Sequence, residues 1–162
     1  MPKSRSSFLC FTALVLTACT PHPPSPPAPN PAMAVNASFG RTWNAAIDVF
    51  AARNIPIETL DRASGLIVAQ PEAVPSPQNA AARVALADCG SDPLGTQGYP
   101  ETAYYNVLVR GDSVRSTVHV TVKWIGDLGT VCSTRGIFEQ GFAESVKQKA
   151  EVSATTAGQT AH

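Results

Sequence analysis

The chain has 162 residues, with 12 basic and 12 acidic side chains and no formal net charge at neutral pH. That balance excludes recognition of nucleic acid or an anionic surface driven by bulk charge, and the length suits one domain.

The first stretch carries Lys3 and Arg5, then the apolar run from Phe8 to Val15, then Leu16-Thr17-Ala18-Cys19. Charged, apolar and small residues in that order make a secretion signal, and the apolar run is too short to span a bilayer as a mature helix. Leu16 three residues before Cys19, with small residues between, resembles the bacterial lipobox. The resemblance implies a signal peptide over residues 1–18, diacylglycerol on the Cys19 thiol and acylation of the new amino terminus, so that the membrane is met through the lipid. Thr20, not Asp, follows the cysteine, which by the same resemblance implies the outer membrane of a diderm cell. The other reading is an ordinary signal peptide cleaved at an Ala-Xaa-Ala-like site, which leaves Cys19 a free thiol.

Without residues 1–18 the chain has 144 residues, and loss of Lys3 and Arg5 leaves 10 basic residues against 12 acidic ones. Cys10 departs with the signal and Cys19 takes the lipid, so Cys89 and Cys132 remain as an even pair. In an oxidising envelope compartment they are expected to form a disulfide.

From Pro21 to Pro31, seven of eleven residues are proline. Such a run forms neither helix nor ladder. Residues 19–36 therefore read as a lipidated cysteine and linker, an extended spacer holding the domain tens of ångströms from the membrane at about 3.1 Å per residue. The globular domain is expected over 37–151.

Phe39, Trp43, Ala46, Ile47 and Phe50 fall on one helical face between Ser38 and Arg53, with Asn36 or Ser38 as cap and Asn54-Ile55-Pro56 as stop. Ile55–Leu60 and Leu66–Ala69, separated by Asp61-Arg62-Ala63-Ser64-Gly65, predict a hairpin. Residues 71–102 are irregular, with five prolines. Within them, residues 80–89 read either as a short helix or as an edge strand ending at Cys89, and the strand is preferred. Period-two alternation over Tyr104–Arg110 and Val114–Trp124 predicts two half-buried antiparallel strands joined at Gly111-Asp112-Ser113. His119 falls on their polar face and is expected to be solvated. Arg110-Gly111-Asp112 spells an adhesion tripeptide but also opens the turn. Ile137, Phe138, Phe142 and Val146 mark a second helix to about Ala150, capped by Ser133 or Thr134, and residues 152–162 read as a disordered tail.

These elements predict an α+β fold, an antiparallel sheet of four to five strands with two helices packed on one face. Trp43 in a first helix, Asp61-Arg62-Ala63-Ser64-Gly65-Leu66-Ile67, Ala87-Asp88-Cys89-Gly90, and Cys132-Ser133-Thr134 before a last helix resemble uncharacterised bacterial lipoproteins. More distantly the order is similar to the helix-grip domains of the C lipoprotein of the outer-membrane β-barrel assembly machinery, which implies a helix-grip-like arrangement.

No metal-ligand cluster, phosphate loop or nucleophile elbow is present in the sequence. The expectation is a non-catalytic envelope interaction or structural module with an envelope protein as partner, no nucleic acid, no cofactor and no metal. The alternative is a small-ligand or lipid-binding domain with a pocket between the sheet and Trp43, Phe50, Phe138 and Phe142. An enzyme would have to use His119 with Asp112 or Asp127.

Overall fold

The computed structural model describes residues 21–74, 80–127 and 129–159. Cys19, and with it the expected lipid site and signal peptide, lies outside the described residues. The chain runs through β1 (Met33–Val35), α1 (Phe39–Ala52), β2 (Ile57–Asp61), β3 (Leu66–Ala69), β4 (Glu72–Ala73), α2 (Ala80–Val84), β5 (Ala87–Asp88), β6 (Pro100–Gly111), β7 (Ser116–Gly126), β8 (Val131–Thr134) and α3 (Ile137–Gln159). This is an α+β fold built on antiparallel pairings.

The hairpin of β6 and β7 is the axis of the sheet, paired over its whole length from Pro100 opposite Gly126 to Gly111 opposite Ser116. Alternation decides which side is buried. Ala103, Tyr105, Val107 and Val109 on β6, and Val118, Val120, Val122 and Trp124 on β7, enter the core, while Tyr104, Asn106, Thr121 and Lys123 face out. β2 and β3 extend the sheet from β6, and β8 and β5 extend it from β7. β4 pairs with β6 at Ala103 and Thr102, and β1 pairs with β7 at Ser116 to Val118.

Eight strands are present where four to five were expected. The additional ones, β1, β4, β5 and β8, are two to four residues long, too short for a period of two to register in sequence. The 80–89 stretch divides between both readings, with helix to Val84 and strand at Ala87–Asp88. α3 continues to Gln159, past the expected end at Ala150. Alanine, serine and threonine after Val152 are poor stop signals, and no glycine or proline intervenes before Gly158.

α1 ends where Asn54 adopts a φ of 54°, with Ile55 N–H donating to Phe50 O. Its start at Ser38 carries no side-chain cap. Instead Thr42 Oγ1 meets Ser116 Oγ at 2.6 Å, and Ser116 donates to Ala37 O, so the first turn is fastened to β7 through buried hydroxyls. α1 and α3 touch one another, and both touch β7. Phe50 packs against Phe142 with tilted rings whose centroids are 4.8 Å apart, and Phe138 reaches Tyr105 and Trp124 at 4.9 and 5.9 Å. Burial pushes the Tyr105 hydroxyl up to about 12, with the charge of Glu72 adding to the effect.

The β2–β3 turn is tied by Asp61, whose carboxylate accepts from Ala63 and Ser64 N–H. Gly65 follows at a φ of 70°, and a Cβ there would collide with the Val109 carbonyl. Gly65→Ala is expected to destabilise the protein by about 2 kcal/mol, because positive φ and a backbone clash act together. A urea midpoint equal to wild type would refute this.

Residues 21–31 do not stand off as a spacer. Ser91 N–H donates to His22 O, Ser25 N–H and Oγ donate to Asp88, and Ala28 N–H donates to Thr134 O. Asn30 Nδ2 donates to Val120 O, and β1 follows directly on β7. The linker expected over 19–36 is, in its described part, a strap laid along the β5, β8 and β7 side of the sheet. Proline withholds its own N–H but leaves its carbonyl and the intervening residues free to bond.

Candidate functional site

Three places in the fold gather polar chemistry: the bridged end, the strap and its anchor, and a groove beside α3. At the first, Cys89 and Cys132 form the expected disulfide, with Cα atoms 4.2 Å apart. Both cysteines are buried, and Gly98 and Gly126 lie against the bridge where a Cβ would approach it within 3.4 Å. The bridge joins the residue after β5 to the middle of β8, two strands that pair at Ala87–Thr134 and Asp88–Ser133.

Asp88 anchors the strap. Its carboxylate accepts from Ser25 Oγ at 2.6 Å, Ser25 N–H at 3.2 Å and Gly90 N–H at 2.9 Å, and Arg135 lies 3.8 Å away. The Ser25 hydroxyl, then the Gly90 amide, hold its pKa below the ordinary carboxylate range. A carboxyl with a depressed folded-state pKa contributes stability that is present above its unfolded value near 3.8 and lost as pH falls through the folded value. Asp88→Asn is therefore expected to cost about 1–2 kcal/mol at pH 7, and the gap to wild type should close well below pH 3.8. Paired urea titrations at pH 7 and pH 2.5 read this directly; a gap unchanged at the lower pH counts against it.

The groove, about 590 Å³, is bounded by Asn30–Met33 of the strap, by Val118 and Val120, and by Ile137, Gln140 and Glu144 of α3. Glu139 also lines it. That side chain is 1 % exposed, one oxygen accepts from Thr134 Oγ1 at 2.6 Å, and the other is sealed from solvent. Thr134 Oγ1 also accepts from Gly136 N–H, a local turn just before α3, whose N-cap position is Gly136 rather than the expected Ser133 or Thr134.

The residues weighed for catalysis are not brought together. Asp112 precedes β7 and binds the Val114 and Arg115 amides, while Asp127 follows β7 at the other end of an eleven-residue strand. His119 lies between them, half-buried and not solvated as expected, because the strap passes over it and Asn30 O stands 2.9 Å from Nε2. Arg110 of the adhesion-like tripeptide donates to Ser64 O, and Asp112 is committed to the turn. Among the described residues no group of three or more His, Cys, Asp or Glu side chains could hold a metal. The aromatic set expected around a ligand pocket closes on itself, with Phe142 against Phe50 and Phe138, and Trp43 against Phe39.

The strap was the element missed in sequence, and a signal for it exists. His22, Ser25 and Ala28 recur every third residue, the period of a polyproline helix, so their backbone groups share one face. Those three residues make its first hydrogen bonds to the domain. No protein-family model matches this chain, and no curated protein matches it.

Proposed function

We propose that this chain is an outer-membrane lipoprotein, anchored through lipid on Cys19, whose helix-grip-like domain works by binding an envelope protein and not by turnover. In this reading α1 and α3 cover one face of the sheet, an arrangement supported by the rings of Phe50, Phe138 and Phe142 meeting over Tyr105 and Trp124. The observation that carries the binding role is the groove beside α3. It has apolar walls at Met33, Val118, Val120 and Ile137, a rim of Gln140 and Glu144, and a buried Glu139 carboxylate engaged by Thr134 Oγ1. Such a lining offers complementarity and a few orienting polar groups, and no nucleophile paired with a base. Ile137, 57 % exposed, stands at its edge as an apolar contact residue.

A second reading is favoured by the groove's size alone, since about 590 Å³ falls within the range of small-molecule sites. A photo-crosslinking residue at Gln140 in the intact lipoprotein separates the two. A discrete protein adduct lost on Ile137→Asp supports the first; a small molecule co-purifying with wild type and lost with the same substitution supports the second. Cys19→Ala should release the protein from membranes. Retention in the outer-membrane fraction after a high-salt wash would end the lipoprotein reading.

A further inference from the structure

We propose that the domain rests directly against the bilayer surface, with the 91–98 loop and the turn closed by Gly126 and Thr130 toward zwitterionic lipid and Leu94 entering the interface. This rests on lipidation at Cys19. The first docked residue decides the distance. Ser91 N–H holds His22 O at 3.0 Å, and Gly90, at a φ of 75°, leaves room for that carbonyl where a Cβ would strike it. Only Thr20 and Pro21 lie between Cys19 and His22, so three residue steps give a reach of at most about 11 Å. A free proline run of eleven residues would instead have given about 34 Å. The strap therefore draws the domain down to the membrane.

The chemistry of that end agrees. Pro21 lines a recess with Asp92, Pro93, Gly98, Asp127 and Thr130, so the chain leaves the domain between the loop and the turn. Next to Pro93, Leu94 is 90 % exposed, a large apolar side chain in water for which the fold itself has no use. It is also held firmly: Asp92 accepts from Leu94 and Thr96 N–H at 2.9 and 2.8 Å, and Gly95 N–H donates to Asp92 O. Val131, 61 % exposed, begins β8 just beyond the turn. The segments 89–99 and 126–132 contain no lysine or arginine and carry Asp92 and Asp127. Anionic headgroups would thus be repelled, and a neutral zwitterionic surface fits.

The test uses full-length lipidated protein in phosphatidylcholine vesicles, with Leu94→Trp compared against Val114→Trp. Val114 is 68 % exposed in the turn at the other end of β7, an eleven-residue strand that spans roughly 35 Å. The native Trp43 and Trp124 are buried and give a constant background. Brominated phosphatidylcholine should quench the added emission of Leu94→Trp at least twofold and leave that of Val114→Trp unchanged. Ten flexible residues inserted between Thr20 and Pro21 should abolish the difference, and adding phosphatidylglycerol should not increase it. Equal quenching at both positions in protein that floats with vesicles and carries lipid by mass spectrometry would overturn the surface contact alone. Protein without lipid that fails to float would overturn the anchored reading and this one with it.

Discussion

Replacing Cys89 and Cys132 together by alanine is expected to cost about 4 kcal/mol, because the bridge spans 43 positions and closes a loop of that length in the unfolded chain. The loop contains β6 and β7, so every residue of the sheet's axis lies inside it. Without the bridge, β5 would be held by its two-residue pairing with β8, the Arg135 contacts and the strap. A loss of this size should lower the thermal midpoint by roughly 12 °C for a chain this long. Wild type treated with reductant should approach the double variant, and the double variant should ignore reductant. If reductant lowers both midpoints alike, the effect does not come from this bridge.

Phe142→Ala is expected to be as damaging, at about 4 kcal/mol. The ring is fully buried and touches Phe50 at 4.8 Å and Phe138 at 6.0 Å. Its other neighbour is Arg53, whose guanidinium lies 5.0 Å from the Phe142 centroid and 5.2 Å from that of Phe138. Arg53 is itself fixed by donating to Gly141 O and Ser145 Oγ, and burial lowers its pKa from the ordinary value. Truncation would remove the contact that joins α1 to α3 and leave a cavity beside a partly desolvated cation. Phe142→Leu keeps most of the volume and should cost less than half as much. Urea unfolding of the two variants gives the comparison; equal losses would mean that the retained volume contributes nothing and that the ring itself carries the whole effect.

The parts of the fold that were legible in sequence are those where one physical pattern runs long enough to be unambiguous. The alternation read over Val114–Trp124 fixes the faces of β7 from Ser116 on, although Val114 itself falls in the exposed turn, and the Trp43–Phe50 stripe with Asn54 fixes α1 and its end. The disulfide followed from counting cysteines once Cys10 and Cys19 were assigned elsewhere. The short strands were not legible because their pairing is dictated by neighbours: β5 exists because Cys89 and Asp88 are held against β8, and β4 because Val74 N–H reaches Glu101 O. His119 was assigned to the right face, yet its burial comes from Asn30, whose docking depends on the strap. The groove was illegible for the same reason, since one of its walls is that strap.

The strap also bears on how readily a second copy of this chain can add to the sheet. An open sheet edge presents a row of unpaired amides and carbonyls, a template on which a second chain can add a strand and begin to aggregate. Along β7 that edge is covered by β1 at one end, β8 at the other and Asn30 between them, and the segment continuing from β1 is rich in residues that have no amide hydrogen to offer. A neighbour approaching over it meets a surface that cannot extend a ladder. The opposite edge, β2, is five residues long and exposes Glu58 and Asp61, whose charges repel a second copy. The terminal strand on the β8 side, β5, is only two residues long and gives a second chain little to pair with; if the lipid anchor proposed above confines the protein to two dimensions, these short and covered edges limit ladder growth between crowded copies.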